Sequence, residues 1–187
     1  ALSDKVREGS RAAIERLKGM GIKTVLLTGD NRAAAEHIGS AIAVDEIVAE
    51  VLPTEKADVV ERYQAGGEVV MMVGDGINDA PALVQADIGC AIGGGSDIAI
   101  DSADIVLTKS ELSDVTRAIN LSRLTIRNIK QNLFWAFFYN VLGIPIAAGA
   151  LYPSFEILLS PMIGALAMSL SSLFVVSNAL KLRTKKI

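Results

Sequence analysis

Gly74-Asp-Gly-Ile-Asn-Asp-Ala-Pro81 decides the fold, because an apolar run, Glu68 to Val73, enters it and a short helix predicted near 80–86 leaves it. A strand that runs through a glycine-bearing acidic loop into a helix is the connection of an open parallel sheet, and ligands of such sheets gather beyond the carboxyl ends of the strands. Asp75 would stand there as a carboxylate suited to Mg²⁺, a hard ion that prefers oxygen. Asn78 and Asp79 follow three and four residues later, on the same side of the next turn, where they can support that ion.

The same arrangement recurs upstream. Lys23 to Leu27 reads as a short buried strand that delivers Thr28-Gly-Asp-Asn31, where a Thr hydroxyl and flexible Gly backbone can donate hydrogen bonds to phosphate oxygens. Between the two loops lies Pro53-x-x-Lys56, a fixed positive charge for phosphoryl oxygens. Helices are predicted over 4–19, 32–43 and 55–65, the last with Thr54 as N-cap and Gly66-Gly67 as its close. A short apolar stretch fills 45–51, and further strands are expected at Ile88 to Ile92 and Asp104 to Leu107. Strands alternating with helices predict an α/β domain over 1–130, with an amphipathic linker helix over 113–131.

Composition then breaks. The chain has 187 residues, 51% hydrophobic, yet 132–180 contain a single acid, Glu156, and no Lys or Arg. Asn132 to Tyr152 and Ile157 to Leu180 are uncharged stretches of 21 and 24 residues, against the roughly 20 that cross a bilayer core. Arg123, Arg127 and Lys130 flank the first; Lys181, Arg183, Lys185 and Lys186 follow the second, in a basic tail over 181–187. Positive charge on both outer flanks predicts a transmembrane hairpin with both ends and the soluble part in the cytoplasm. A buried hairpin of a soluble protein is the plainer alternative. A net charge of −3 gives no basic stripe for nucleic acid, and the one cysteine, Cys90, leaves no disulfide framework. The abrupt charged start at Ala1 reads as a cut piece of a longer chain, and it has no signal-peptide core.

GDGINDAP with TGDN upstream and a Pro-x-x-Lys between strongly resembles the P-type ATPases, whose phosphorylation domain has the haloacid-dehalogenase-like, Rossmann-like fold. The resemblance implies that Thr28 and Gly29 bind the aspartyl phosphate, with Asp30 close behind, and that Lys56 neutralises phosphate charge. It gives Asp75 to Mg²⁺, completed by Asn78 and Asp79. Asp4 matches a hinge motif, and Gly93 to Asp97 a loop that usually reads Gly-Thr-Gly-Thr-Asp; a tight turn without a ligand explains that loop equally. The family phosphorylates the Asp of an Asp-Lys-Thr-Gly-Thr string, which does not occur here, so the chain by itself is expected to be inactive.

The apolar stretches carry a second resemblance. Asn132-x6-Tyr139-Asn140-x4-Pro145 and Met168-x-x-Ser171-Ser172 are similar to the last two membrane helices of copper(I)-transporting P-type ATPases. A thioether suits Cu(I), and Met168 with Ser172 share one helix face; helix packing by Met and Ser is the simpler use of such residues. The resemblance implies that Tyr139, Asn140, Met168 and Ser172 form half of a copper site shared with an earlier helix. It further implies an ATP-driven Cu(I) exporter, in the plasma membrane, that uses Mg²⁺ and ATP. The implied partners are an actuator domain, a nucleotide-binding domain, earlier membrane helices, the lipid bilayer and a copper chaperone. The rival readings are a P-type ATPase for another heavy metal, a membrane-anchored phosphatase of the haloacid-dehalogenase type, and a truncated, non-catalytic interaction protein.

Overall fold

The computed structural model describes residues 6–74, 77–93, 100–109, 111–150, 152–155 and 160–184. Asp4, Asp75, Gly76 and residues 94–97 lie outside them. The chain divides into two compact units, Ala1–Arg117 and Ala118–Ile187.

In the first unit helices and short parallel strands alternate: α1 (Ser10–Gly19), β1 (Val25–Leu27), α2 (Arg32–Ile42), β2 (Glu46–Val48), α3 (Lys56–Ala65), β3 (Met71–Gly74), α4 (Ala80–Gln85), β4 (Ile88–Ile92) and β5 (Ile105–Leu107). The parallel α/β expectation holds, with a qualification. Among the described residues the strands form two sheets, β1 with β2 in the register Leu26 to Ile47, and β3-β4-β5 in the register Val73 to Cys90 and Cys90 to Ile105.

The core follows from which faces the helices offer. Ala13, Ile14 and Leu17 on α1 and Ala35 on α2 are buried, as are Val59 and Val60 on α3 and Ala82 and Leu83 on α4. Cys90 and Ala91 in β4 are fully enclosed, which gives Cys90 the small apolar role its solitary occurrence suggests. Two strand starts are tied by acids that pattern reading passed over. Asp87 Oδ2 accepts from the Val70 N–H and Asp104 Oδ2 from the Gly89 N–H, both at 2.8 Å.

Some boundaries moved for local reasons. α1 begins at Ser10, not 4, because Gly9 ahead of it sits at φ 87°, in the left-handed region where a helix cannot propagate. Thr54 does not cap α3. Pro53 opens a 3₁₀ turn over Pro53–Glu55 instead, and Glu55 Oε2 accepts from the Leu52 N–H at 3.1 Å, so Thr54 lies inside that turn. Gly66 stands at the C-cap of α3 as predicted.

One helix, α5 (Leu112–Ala147), covers the predicted linker and the first apolar stretch without a break. Its first turns belong to the first unit, where Val115 and Thr116 are buried. It stops five residues before Tyr152 in a Schellman turn: Gly149 at φ 87° donates to Ile146 O at 3.1 Å, and Ala150 to Pro145 O at 3.0 Å. A single turn, α6 (Tyr152–Phe155), precedes α7 (Pro161–Thr184). By length and composition, Gly164–Lys181 of α7, with a mean hydropathy of 1.3 over 18 residues, suffices to cross a bilayer.

Candidate phosphate site and polar helix faces

The Thr28 loop is built to be rigid. Beyond β1 the Thr28 hydroxyl donates to Asp30 Oδ2 at 2.9 Å and accepts from the Asp30 N–H at 3.1 Å. Asn31 caps α2 by accepting from the Ala34 N–H at 2.9 Å. The segment after β2 is laced onto this loop: Glu50 N–H donates to Asp30 O at 3.0 Å, and Val51 N–H to Thr28 O at 3.2 Å. Glu50 adopts φ 61°, a left-handed conformation that costs a non-glycine residue roughly 1–2 kcal/mol. Its side chain accepts from the Arg32 N–H at 3.4 Å. No sequence pattern marks Glu50, because only a non-local pairing with the Thr28 loop demands that conformation.

Five residues after Val51, Lys56 opens α3 and donates to Asp79 Oδ1 at 2.6 Å. Asp79 ends a 3₁₀ turn, Ile77–Asp79, that leads from β3 into α4. The side chains of the pair are 14% and 13% exposed, so both charges sit largely out of water while keeping an open edge. Gly74 makes this possible. A Cβ there would lie 2.8 Å from Asp79 Oδ2, so the Asp79 carboxylate folds over the place a side chain would occupy. Asn78, one residue earlier, is exposed.

Three of the sequence-predicted groups are therefore physically linked. The Thr28 loop binds Val51, Val51 leads through the Pro53 turn to Lys56, and Lys56 holds Asp79. The carboxylate oxygens of Asp79 are hard donors, of the kind that suit Mg²⁺.

In the second unit Tyr139 and Asn140 are exposed on α5, and Ser172 is exposed on α7, where Met168 also lies. Tyr139 stands beside Trp135, ring centroids 5.9 Å apart, and Trp135 meets Phe174 edge-on at 5.8 Å. A trio of asparagines that pattern reading did not single out as a group bonds α5 to α7. Asn132 Nδ2 donates to Asn128 Oδ1 at 3.0 Å, Asn128 Nδ2 to Asn178 O at 2.9 Å, and Asn178 Nδ2 to Asn132 Oδ1 at 2.8 Å. The i, i+4 spacing of Asn128 and Asn132 was the one legible sign of it.

Two models of the haloacid dehalogenase-like hydrolases match the chain, over residues 1–87 and 56–119. The chain is 54% identical over 184 residues to copper-transporting ATPase 1 of Rhizobium meliloti, covering 98% of this chain and 22% of that protein. It is 50% identical to a silver exporting P-type ATPase of Salmonella typhimurium, over 100% of this chain and 23% of that one. The crystal structure of a zinc-transporting PIB-type ATPase in its E2.Pi state superposes with a TM-score of 0.83 at 35% identity, over 96% of this chain and 28% of that one. The chain thus spans about a fifth of the length of the curated relatives it matches.

Proposed function

Since the chain belongs to the heavy-metal P-type ATPases, we propose that it serves an ATP-driven Cu(I) exporter, supplying phosphate-binding groups and part of the metal path. The observation that carries the phosphate half is the Lys56–Asp79 pair, 2.6 Å long, held against Gly74 and tied through Val51 to the Thr28 loop. An arriving phosphoryl oxygen accepts the hydrogen bond that the Thr28 hydroxyl now donates to Asp30, while the Gly29 N–H adds a second donor. Lys56, already lodged in a partly dry site, offers its charge to the transferred group as negative charge develops. Asp30 receives the loop's backbone and holds Thr28 in place. Asp75 and Asp79, with Asn78, would hold Mg²⁺, which when bound supplies positive charge to the phosphoryl oxygens.

These 187 residues contain no Asp-Lys-Thr-Gly-Thr string, so phosphorylation requires a nucleophile from elsewhere in the parent protein, and the chain alone is expected to form no phosphoenzyme. Nucleotide-binding and actuator domains, earlier membrane helices and a copper chaperone are the partners this reading calls for. α5 and α7 form a membrane hairpin with both ends cytoplasmic, in the plasma membrane. The large apolar residues exposed along them, among them Phe137, Val141, Ile144, Leu166 and Leu173, support that placement. Tyr139, Asn140, Met168 and Ser172 serve the path, where a soft thioether favours a soft monovalent ion. The silver-exporting relative makes Ag(I), an ion of the same softness, the second candidate cargo.

In the full-length protein, Met168→Ala weakens Cu(I)-stimulated turnover and leaves phosphorylation by inorganic phosphate in place. Asp75→Asn cripples Mg²⁺-dependent phosphorylation whatever the ion. Unchanged copper stimulation would return Met168 to packing, and normal phosphorylation would remove Asp75 from the site.

A further inference from the structure

Apolar helix pairs slide. Contacts among Leu, Phe and Val side chains such as those along α5 and α7 are non-directional, so apolar contact alone specifies register weakly. The three-asparagine ring is different in kind. Each of its amides both donates and accepts within the ring, apart from Asn178, which accepts through its backbone carbonyl. Asn128 is buried, 9% exposed, and Asn132 and Asn178 are half-buried. Slippage by a residue would leave these groups unpaired in apolar surroundings, and a buried asparagine is a well-attested device for pinning helix register.

We infer that Asn128, Asn132 and Asn178 form a register lock that sets the axial level of the metal-path residues, a positioning role that rests on the proposed path. Two contacts calibrate the antiparallel pairing, Asn132 with Asn178 and Trp135 with Phe174. Each step up α5 matches a step down α7, so Tyr139 stands level with Ser171, Met168 with Leu142 and Ser172 with Phe138. The four path residues therefore occupy one band about 6 Å deep along the helix axes, at about 1.5 Å per residue. The lock lies seven residues from Tyr139 along α5, about 10 Å away. Its three bonds run among the asparagines themselves, so it acts on the band through register. Ser171 enters as an additional member of the band. It is half-buried, seven residues from Asn178 on the same side of α7, whereas Ser172 is exposed.

The test uses the full-length protein and reads register and copper response separately. Register is read by joining Trp135→Cys to Phe174→Cys with a short bifunctional thiol reagent and quantifying the linked peptides by mass spectrometry. Copper response is read as the Cu(I) concentration that half-saturates ATPase activity, against the phosphoenzyme formed from inorganic phosphate. Asn132→Leu breaks two bonds of the ring; it is expected to lower the cross-link yield about fivefold and raise half-saturating Cu(I) about tenfold, with phosphate-derived phosphoenzyme within about twofold. Asn178→Ala breaks one bond and moves both readouts about threefold; it carries the test if Asn132→Leu fails to accumulate. Undiminished cross-linking in both variants overturns the lock, and so does a loss of phosphate-derived phosphoenzyme in step with copper activation. Met168→Ala run alongside separates the two claims. If it leaves copper activation untouched while Asn132→Leu abolishes the cross-link, the metal path fails and the lock stands; the reverse pattern sinks the lock alone.

Discussion

The phosphate loops of the first unit and the polar helix faces of the second hold their functional groups by opposite means. Thr28, Asp30, Lys56 and Asp79 are each bonded to one another or to the adjoining backbone, so the signature residues are also the fixed ones. Along α5 and α7 the signature residues Tyr139, Asn140 and Ser172 are exposed, and asparagines about two turns away bond one helix to the other. Transferring a phosphoryl group rewards donors that need no rearrangement when charge develops. In the proposed metal path, exposed side chains aimed by their scaffold suit a group that passes an ion onward.

Breaking the fixed site should cost most. Lys56→Ala removes the charge proposed to meet the phosphoryl oxygens and strands a carboxylate that is only 13% exposed. Phosphoenzyme formation in the full-length protein is expected to fall about a hundredfold; a drop of less than about twofold would mean that Lys56 is a structural ion pair only. Gly74→Ala leaves both charges in place and moves one of them. Its Cβ, 2.8 Å from Asp79 Oδ2, must push the carboxylate aside. Stability should fall by about 1–3 kcal/mol, and phosphorylation by about tenfold, measured by thermal melting and acid-stable labelling. Wild-type behaviour would show that the close approach has no consequence.

The smallest effect belongs to a carboxylate remote from both sites. The Lys18 ammonium, then the Thr24 hydroxyl and backbone N–H, hold Asp45 down to about 2 from its ordinary 3.8. A depressed carboxylate stabilises the fold above its unfolded value, and the contribution is lost as pH falls from near 3.8 through about 2. Asp45→Asn is therefore expected to lower the melting midpoint slightly at neutral pH and to narrow the difference from wild type over that acid window. The difference should also shrink in high salt, because the ion pair is exposed. A difference that grew on acidification would refute the assignment.

Much of the first unit was legible because its signals are local. β4 occupies the predicted Ile88 to Ile92, and α2 begins at Arg32 behind an asparagine cap. What escaped was set by partners distant in sequence. Lys56 and Asp79 are 23 residues apart, so the loops could each be assigned to phosphate while their direct pairing stayed hidden. The splitting of the strands into two sheets is likewise a matter of pairing, which no single strand encodes. Glu50 and the ring closed by Asn178, 46 residues from Asn132, are visible only once the chain has folded. Tyr139-Asn140 and Met168 to Ser172 were legible as motifs, but the common level they share depends on the register between two helices.

The most direct test of the whole account is metal-dependent phosphorylation of the full-length protein by ATP, with Cu(I) and Zn²⁺ supplied in parallel. Acid-stable phosphoenzyme is expected to require Cu(I), to be lost in Lys56→Ala and not to appear with Zn²⁺ alone. Phosphoenzyme that forms with Zn²⁺ and ignores Cu(I) would contradict this expectation.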